Sequence, residues 1–168
     1  MDVGWKYIWD RQTDLPEEVS LLVPTPVVLE QMWATVRGKE LLFPDECNSY
    51  EDFERAMQNS VLLTSGPALL RIRSIIPLTR CEIHGYVIGA ALTPYRKIFV
   101  RCLQWVFRTF KVKRVECFIP SRARSLGRFL RECGFKKEGH LRNRRLYGGK
   151  VCSEDVYGLL QEDLNVSR

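Results

Sequence analysis

The spacing of apolar residues changes along the chain, and each change marks an element. Glu18–Val23 reads as a first strand, and Val27–Val36 then places apolar residues at helical spacing. After a polar loop holding Pro44, Ser49 stands as an N-cap, with Glu51 and Asp52 suited to the first turn of a helix running to about Asn59. Phe53, Ala56 and Met57 mark the core side of that helix. The middle of the chain shifts to strands. Val61–Thr64 and Ala68–Ile76 flank Ser65-Gly66-Pro67, which has the chemistry of a hairpin turn. Cys81–Ile88 follows with Gly85 inside it, where glycine marks a bulge or a close backbone approach. A helix over Pro94–Thr109 has Pro94 at a first helical position, and Ile98, Phe99, Cys102, Leu103, Val106 and Phe110 form one apolar stripe. Lys113–Ile119 reads as a buried strand. Arg122–Cys133 reads as a second helix with Leu126, Phe129, Leu130 and Cys133 inward, ended by Gly134. His140–Tyr147 and Val151–Leu160 are the last two strands, joined by Gly148-Gly149.

This order predicts a mixed α/β (α+β) fold in one domain spanning 1–168, with residues 1–15, including Trp5, Tyr7 and Trp9, as an added strand or arm. Hydrophobic residues make up 45% of the chain, enough for a core without disulfide staples. No apolar run approaches the roughly 20 residues of a membrane helix. The start lacks a basic segment followed by an apolar stretch, so a cytoplasmic location is expected. The six cysteines, Cys47, Cys81, Cys102, Cys117, Cys133 and Cys152, form no CxxC pair, and His84 and His140 stand far apart. Reduced, packed thiols are therefore expected rather than a metal site.

Charge refines the picture. The net +6 hides a block from Arg96 to Lys150 with 17 basic and three acidic residues, net +14, between flanks of net −5 and −3. Such a block suits a phosphorylated cofactor, a nucleic acid or an acidic partner, and equally the solvated faces of two helices.

A set of local motifs falls in the same half of the chain. Arg114-Val115-Glu116 is followed by Gly134-Phe135-Lys136-Lys137-Glu138-Gly139, then Leu141-Arg142-Asn143, Gly149-Lys150 and Asp155–Leu160. Together these resemble the C-terminal half of the GNAT (general N-acetyltransferase) family, and within it the branch that acetylates ribosomal-protein N-termini. The resemblance runs from Glu82 onward; before it only the order of elements matches. It implies a central, mostly antiparallel sheet of about seven strands with about four helices. It also implies acetyl-CoA as cofactor, and acetyl transfer to the primary amine of a protein or small molecule. In that fold two neighbouring strands splay, the pantetheine arm pairs with an exposed strand edge, and the pyrophosphate rests on the next helix N-terminus. Here the splayed strand is Cys81–Ile88 and the helix starts near Pro94. The intervening turn departs from the family's Q/R-x-x-G-x-G/A. Counted back from Arg114, Ile88 takes the basic position, and Ala91 and Thr93 take those of the glycines. Gly89 and Ala90 remain small, Arg96 and Lys97 offer charge in the first helical turn, and Pro94 removes one N–H donor. Ile88, Gly89, Ala90, Ala91, Thr93, Arg96 and Lys97 are thus the candidate cofactor loop.

Acetyl transfer requires a base for the ammonium, a polariser for the thioester carbonyl and an acid for the thiolate. Glu82, on the candidate cofactor strand, is the first candidate for the base, and His84 alternates with it to share its face. Backbone N–H groups of the strand are placed to polarise the carbonyl. The family's acid, a Tyr four residues before the Gly of the GF motif, is Leu130 here, and its helix-start Asn and Ser correspond to Ala123 and Leu126. Ser125, one position away, is the substitute candidate; Ser121 and Ser125 equally suit capping or the surface. Cys133 reads as a packing thiol. Two other readings stay open. One is a GNAT-fold binding or structural protein without catalysis, of the kind phage and prophage genomes carry. The other is nucleic-acid binding through Arg122, Arg124, Arg128 and Arg131 on one helix and Arg142, Arg144 and Arg145 on the next strand. A transferase predicts an open cleft between the fourth and fifth strands; a non-catalytic module predicts one filled by side chains such as Tyr95 or Trp105.

Overall fold

The computed structural model describes residues 14–36, 49–87 and 91–164. The expected N-terminal arm with Trp5, Tyr7 and Trp9, and Cys47, lie outside them. Among the described residues the chain runs β1 (Ser20–Leu22), α1 (Pro26–Val36), α2 (Tyr50–Gln58), β2 (Val61–Ser65), β3 (Ala68–Ile76) and β4 (Arg80–Val87). It continues through α3 (Arg96–Phe110), β5 (Arg114–Pro120), α4 (Arg124–Glu132), β6 (Lys136–Tyr147), β7 (Lys150–Leu160) and a short α5 (Gln161–Leu164). No helix among the described residues is long and apolar enough to cross a membrane.

The strands form one sheet in the order β1-β2-β3-β4-β5-β7-β6. Every neighbouring pair is antiparallel except β4 and β5, which α3 connects as a parallel pair. Alternation along the strands builds a core on each face. Leu63, Leu70, Ile72, Ile83, Val115 and Leu159 pack under α3 and α4, around the fully buried Trp105 and Leu103. Leu62, Leu69 and Tyr86 point the opposite way, against Leu29 of α1 and Phe53 and Met57 of α2.

Local chemistry explains the boundaries. Ser49 caps α2, its Oγ accepting from the Asp52 N–H at 3.1 Å. Gly134, at φ +96°, closes α4, and the Phe135 N–H donates back to the Leu130 carbonyl at 3.0 Å. Gly148 and Gly149, both at positive φ, make the two-residue turn between β6 and β7.

Several expectations require correction. Thr93–Tyr95 is a 3-10 turn, and α3 begins only at Arg96, because the Tyr95 N–H bonds the Leu92 carbonyl three residues back. Similarly, α4 begins at Arg124 rather than Arg122, since the Ala123 N–H closes a turn onto the Pro120 carbonyl. Gly85 carries no bulge; the β3–β4 irregularity falls between Arg73 and Ile76, where Ser74 sits at φ +50°. Strand β6 starts four residues before His140, at Lys136. Its register shifts at Lys137–Gly139 and Leu141–Arg145 break the period of two that would have revealed it.

One contact in α4 gives a stability prediction. A Cβ on Gly127 would lie 2.7 Å from the Oη of Tyr157, a residue only 2% exposed whose hydroxyl accepts from Arg131 Nη1 at 3.1 Å. Gly127→Ala gains helix propensity of about 1 kcal/mol, but overpacking costs about 1–3 kcal/mol. A net fall in melting temperature is expected, measured by thermal unfolding; a rise would show that Tyr157 moves aside freely.

Candidate functional site

Strands β4 and β5 pair at only three positions, Arg80↔Arg114, Cys81↔Val115 and Glu82↔Glu116. Beyond them, among the described residues, β4 pairs only with β3 and β5 only with β7. Residues 83–87 and 117–120 therefore turn unpaired backbone edges toward a common gap. An ion network fixes the paired end. Arg114 Nε bonds Glu116 Oε1 at 2.8 Å, Arg80 Nη1 bonds Glu116 Oε2 at 2.7 Å, and the Arg114 guanidinium also grips Glu138 through two donors, one of them at 2.9 Å. The Glu138 carboxyl is held below its usual range by that arginine, although burial opposes the shift.

The gap is a cleft of about 1050 Å³, counted out to open solvent. On the helical side it is walled by Ile83 and Gly85 of β4, Tyr95 before α3, Ile98 and Phe99 of α3, and Leu126 and Phe129 of α4. On the other face His84, Tyr86, Phe118 and Tyr147 line it. Tyr95 thus stands in the wall, whereas Trp105 is wholly buried in the core. The fourth-to-fifth strand cleft is open, as expected of a transferase.

Of the candidate cofactor loop, Ile88, Gly89 and Ala90 lie outside the described residues. Ala91 and Thr93 are exposed at the head of α3, beside the cleft-lining Leu92. Arg96 and Lys97 are exposed on the first turn, with Arg96 Nη1 4.0 Å from Glu132 Oε2. No acid occupies that turn, and Tyr95 provides no side-chain cap. The helix start therefore offers an anion chiefly the two cations and the positive end of the helix dipole, since Pro94 has no N–H and those of Tyr95 and Arg96 are taken by the Leu92 and Thr93 carbonyls.

Glu82 and His84 come together as expected of alternate residues. Glu82 Oε1 accepts from Arg73 Nη2 at 2.6 Å and meets His84 Nε2 at 3.1 Å, and Ser74 Oγ reaches Oε2 at 3.4 Å. Burial pushes the Glu82 carboxyl up, but the hydrogen bonds from His84 and Arg73 outweigh it and bring the pKa to about 2. Such a carboxylate accepts protons poorly and serves better as an anchor. His84 is itself held below its usual value, first by burial and also by Arg73 and Arg71, against the raising effect of Glu82. With Nε2–H donated to Glu82, Nδ1 of the neutral ring is left as an acceptor. His84 lines the cleft; Glu82 stands behind it.

Ser125 is exposed on α4 and does not line the cleft; the neighbouring Leu126 does. Ser121 instead joins His140 and Asp155. Its Oγ lies 3.2 Å from His140 Nδ1 and 2.9 Å from Asp155 Oδ1, which meets the same Nδ1 at 2.7 Å while Lys137 Nζ holds Oδ2 at 2.7 Å. Serine and aspartate share one ring nitrogen, so no Ser-His-Asp relay exists; the cluster ties β5, β6 and β7 together. Burial raises the pKa of Cys81, Cys102, Cys117 and Cys133 to about 12, which leaves these thiols inert at neutral pH.

Two cleft residues escaped the sequence reading, Tyr147 and, one hydrogen bond behind it, Glu154. The available signal was an acid whose same-face neighbours along the strand, Cys152 and Val156, are apolar, together with an aromatic residue beside the Gly148-Gly149 turn.

No protein-family model and no curated protein sequence matches the chain. Solved structures do. Spermidine N-acetyltransferase from Vibrio cholerae, in complex with CoA and spermine, superposes with TM-score 0.71 at 14% identity, over 89% of this chain and 99% of that one. A chimera of the Vibrio cholerae enzyme gives 0.68 at 17% identity over 89% and 99%, and a point mutant of it gives 0.70 at 15% over 91% and 100%. The chain has the GNAT fold, as the C-terminal motifs implied.

Proposed function

We propose that the protein is an N-acyltransferase that moves an acetyl group from acetyl-CoA to a primary amine. The observation that carries the reading is the parting of β4 and β5 after three pairs, which opens a cleft edged by unpaired backbone and headed by the start of α3. The residues fit the cofactor. The free edge at 83–87 suits the two amides of a pantetheine arm, and Arg96 and Lys97 suit a pyrophosphate. A β4 N–H in the gap polarises the thioester carbonyl. His84, neutral and oriented by Glu82, is placed to take the proton of the attacking amine at Nδ1. As the C–N bond forms, the C–S bond breaks and the thiolate leaves along the cleft. The C-terminal motifs favour a peptide α-amine as acceptor, in the manner of the ribosomal-protein branch, while the Vibrio cholerae neighbour's ligand favours a polyamine; both are primary amines.

Thermal unfolding with acetyl-CoA at low salt tests the reading. At one hundred times its dissociation constant a ligand of the folded state stabilises by about 2.7 kcal/mol, which for a chain of this size raises the melting temperature by roughly 5–10 °C. That shift is expected, and the Arg96→Ala, Lys97→Ala double variant should lose most of it. No shift at millimolar acetyl-CoA would leave the second reading, a GNAT-fold binding module without catalysis, which Pro94 and the absent family tyrosine at Leu130 favour.

A further inference from the structure

One buried acid has no part in the mechanism above. Glu154, on β7, is 1% exposed. Its Oε1 accepts a 2.7 Å hydrogen bond from Tyr147 Oη and lies 3.3 Å from Arg145 Nε, while its buried Oε2 has no hydrogen-bond partner among the described residues. A buried carboxylate oxygen without a donor costs stability and is uncommon enough to require a reason.

Its place in the fold supplies one. Glu154 pairs with Pro120, at the end of β5 that has parted from β4. The register puts it on the same face of the sheet as Glu82 and His84, because Pro120 and Glu116 share a face and Glu116 pairs with Glu82. Tyr147 comes from the β6–β7 hairpin, is 4% exposed and lines the cleft with His84, Tyr86 and Phe118. The ring therefore stands between the cleft and the carboxylate.

The hydrogen-bonding sense is fixed. A phenol has one proton, and that of Tyr147 is directed at Glu154. Burial, and then the bond to Glu154, push the phenol well above its ordinary pKa, so the proton stays on the ring oxygen. Tyr147 Oη consequently has only lone pairs left for a further partner. Behind it Arg145 answers one oxygen of Glu154 and leaves the other uncompensated. An acceptor backed by negative charge complements a cationic N–H donor and repels a carboxylate or phosphate.

We propose that Tyr147 and Glu154 receive the ammonium group of the acceptor, Tyr147 Oη accepting one N–H and Glu154 supplying the negative charge behind it. The acceptor class is then a cationic primary amine, held on the face of the cleft that His84 also lines. This rests on the acyltransferase reading. Tyr147 touches the substrate; Glu154 acts through it as a positioning residue.

The test uses the full chain, with spermidine, butylamine and a short peptide bearing a free α-amine as probes. Amine binding is followed by calorimetry with CoA present, and steady-state kinetics are run with acetyl-CoA. Glu154→Gln is expected to weaken amine binding and raise the amine KM about tenfold or more, and Tyr147→Phe severalfold. kcat at saturating amine and the acetyl-CoA Kd should stay within about twofold. The double variant should lose no more than Glu154→Gln alone, because the two residues act as one unit. A folded Glu154→Gln with unchanged amine affinity overturns the proposal. If that variant does not fold, Tyr147→Phe, which removes one hydroxyl, decides on the same readout. A native chain that binds acetyl-CoA but none of the three amines overturns the proposal alone; one that binds no acetyl-CoA overturns the acyltransferase reading as well.

Discussion

Gly85→Leu is expected to abolish stabilisation by acetyl-CoA while leaving the free chain folded. Gly85 is in the part of β4 that no longer pairs with β5, and it forms part of the cleft wall. A Cβ built there meets only Phe99 Cε2, at 4.0 Å, an ordinary van der Waals distance, and the backbone has no positive φ that would penalise a side chain. The new side chain therefore enters the cleft beneath Phe99 without strain in the sheet. Replacing a strand glycine by leucine even removes some of the entropic cost of ordering the chain. In the cleft, however, the isobutyl group occupies the path of the cofactor arm. A hundredfold loss of affinity would cut the stabilisation at a fixed ligand concentration from about 2.7 to about 0.4 kcal/mol. The expected result is an unchanged melting temperature without ligand and almost no shift with it. A full shift in this variant would mean that the cofactor does not pass between β4 and β5, and would remove the main support for the acyltransferase reading.

Much of the fold was legible because its elements are internally consistent. The apolar stripe of α3, the alternation of β2 and β3, and the glycines after α4 and between β6 and β7 each name their element from local chemistry alone. The splay of β4 from β5 was not legible from periodicity, since a strand that stops pairing keeps its alternation. It entered only through the resemblance, and the three-pair register then gave it a physical form.

The motif that carried the resemblance also has a structural meaning. Arg80, Arg114, Glu116 and Glu138 are the ion network that clamps β4, β5 and β6 at the paired end, and a Cβ on Gly158 would lie 2.5 Å from Glu138 Oε1 and 2.7 Å from Arg114 Nη1. The sequence run thus marks the hinge of the cleft more than its chemistry. The chemistry was partly hidden. Glu82 was visible as an acid on the right strand, but its lock to Arg73 depends on the β3–β4 register, which places Arg73 opposite it. Tyr147 and Glu154 come from a hairpin far along the chain and reach the cleft only because β7 pairs with β5 and β6 with β7. No local spacing encodes that meeting.

The lock on Glu82 leads to the second large effect. Its side chain is 10% exposed, and its carboxyl titrates at about 2 in the folded chain against an ordinary 4.5. A depressed carboxyl stabilises the fold above the unfolded pKa, and the contribution is lost as pH falls through the folded one. The difference corresponds to about 3 kcal/mol, present at neutral pH and lost between roughly pH 4.5 and 2. Glu82→Gln keeps the volume but has no proton to release, so it should be less stable than the native chain at pH 7 by an amount that shrinks on acidification. Urea unfolding at a series of pH values measures this, and a constant gap between the two proteins from pH 7 to pH 3 would refute the linkage. Kinetics add a second comparison. If Glu82 anchors His84, Glu82→Gln should lower kcat through a shifted His84 titration, visible as a moved acid limb in the pH–rate profile, while His84→Ala should remove that limb altogether. If Glu82 were itself the base, the limb would vanish in Glu82→Gln and persist in His84→Ala. The short Arg73 bond favours the first outcome, because a carboxylate held by a guanidinium at 2.6 Å has little basicity left to give an ammonium.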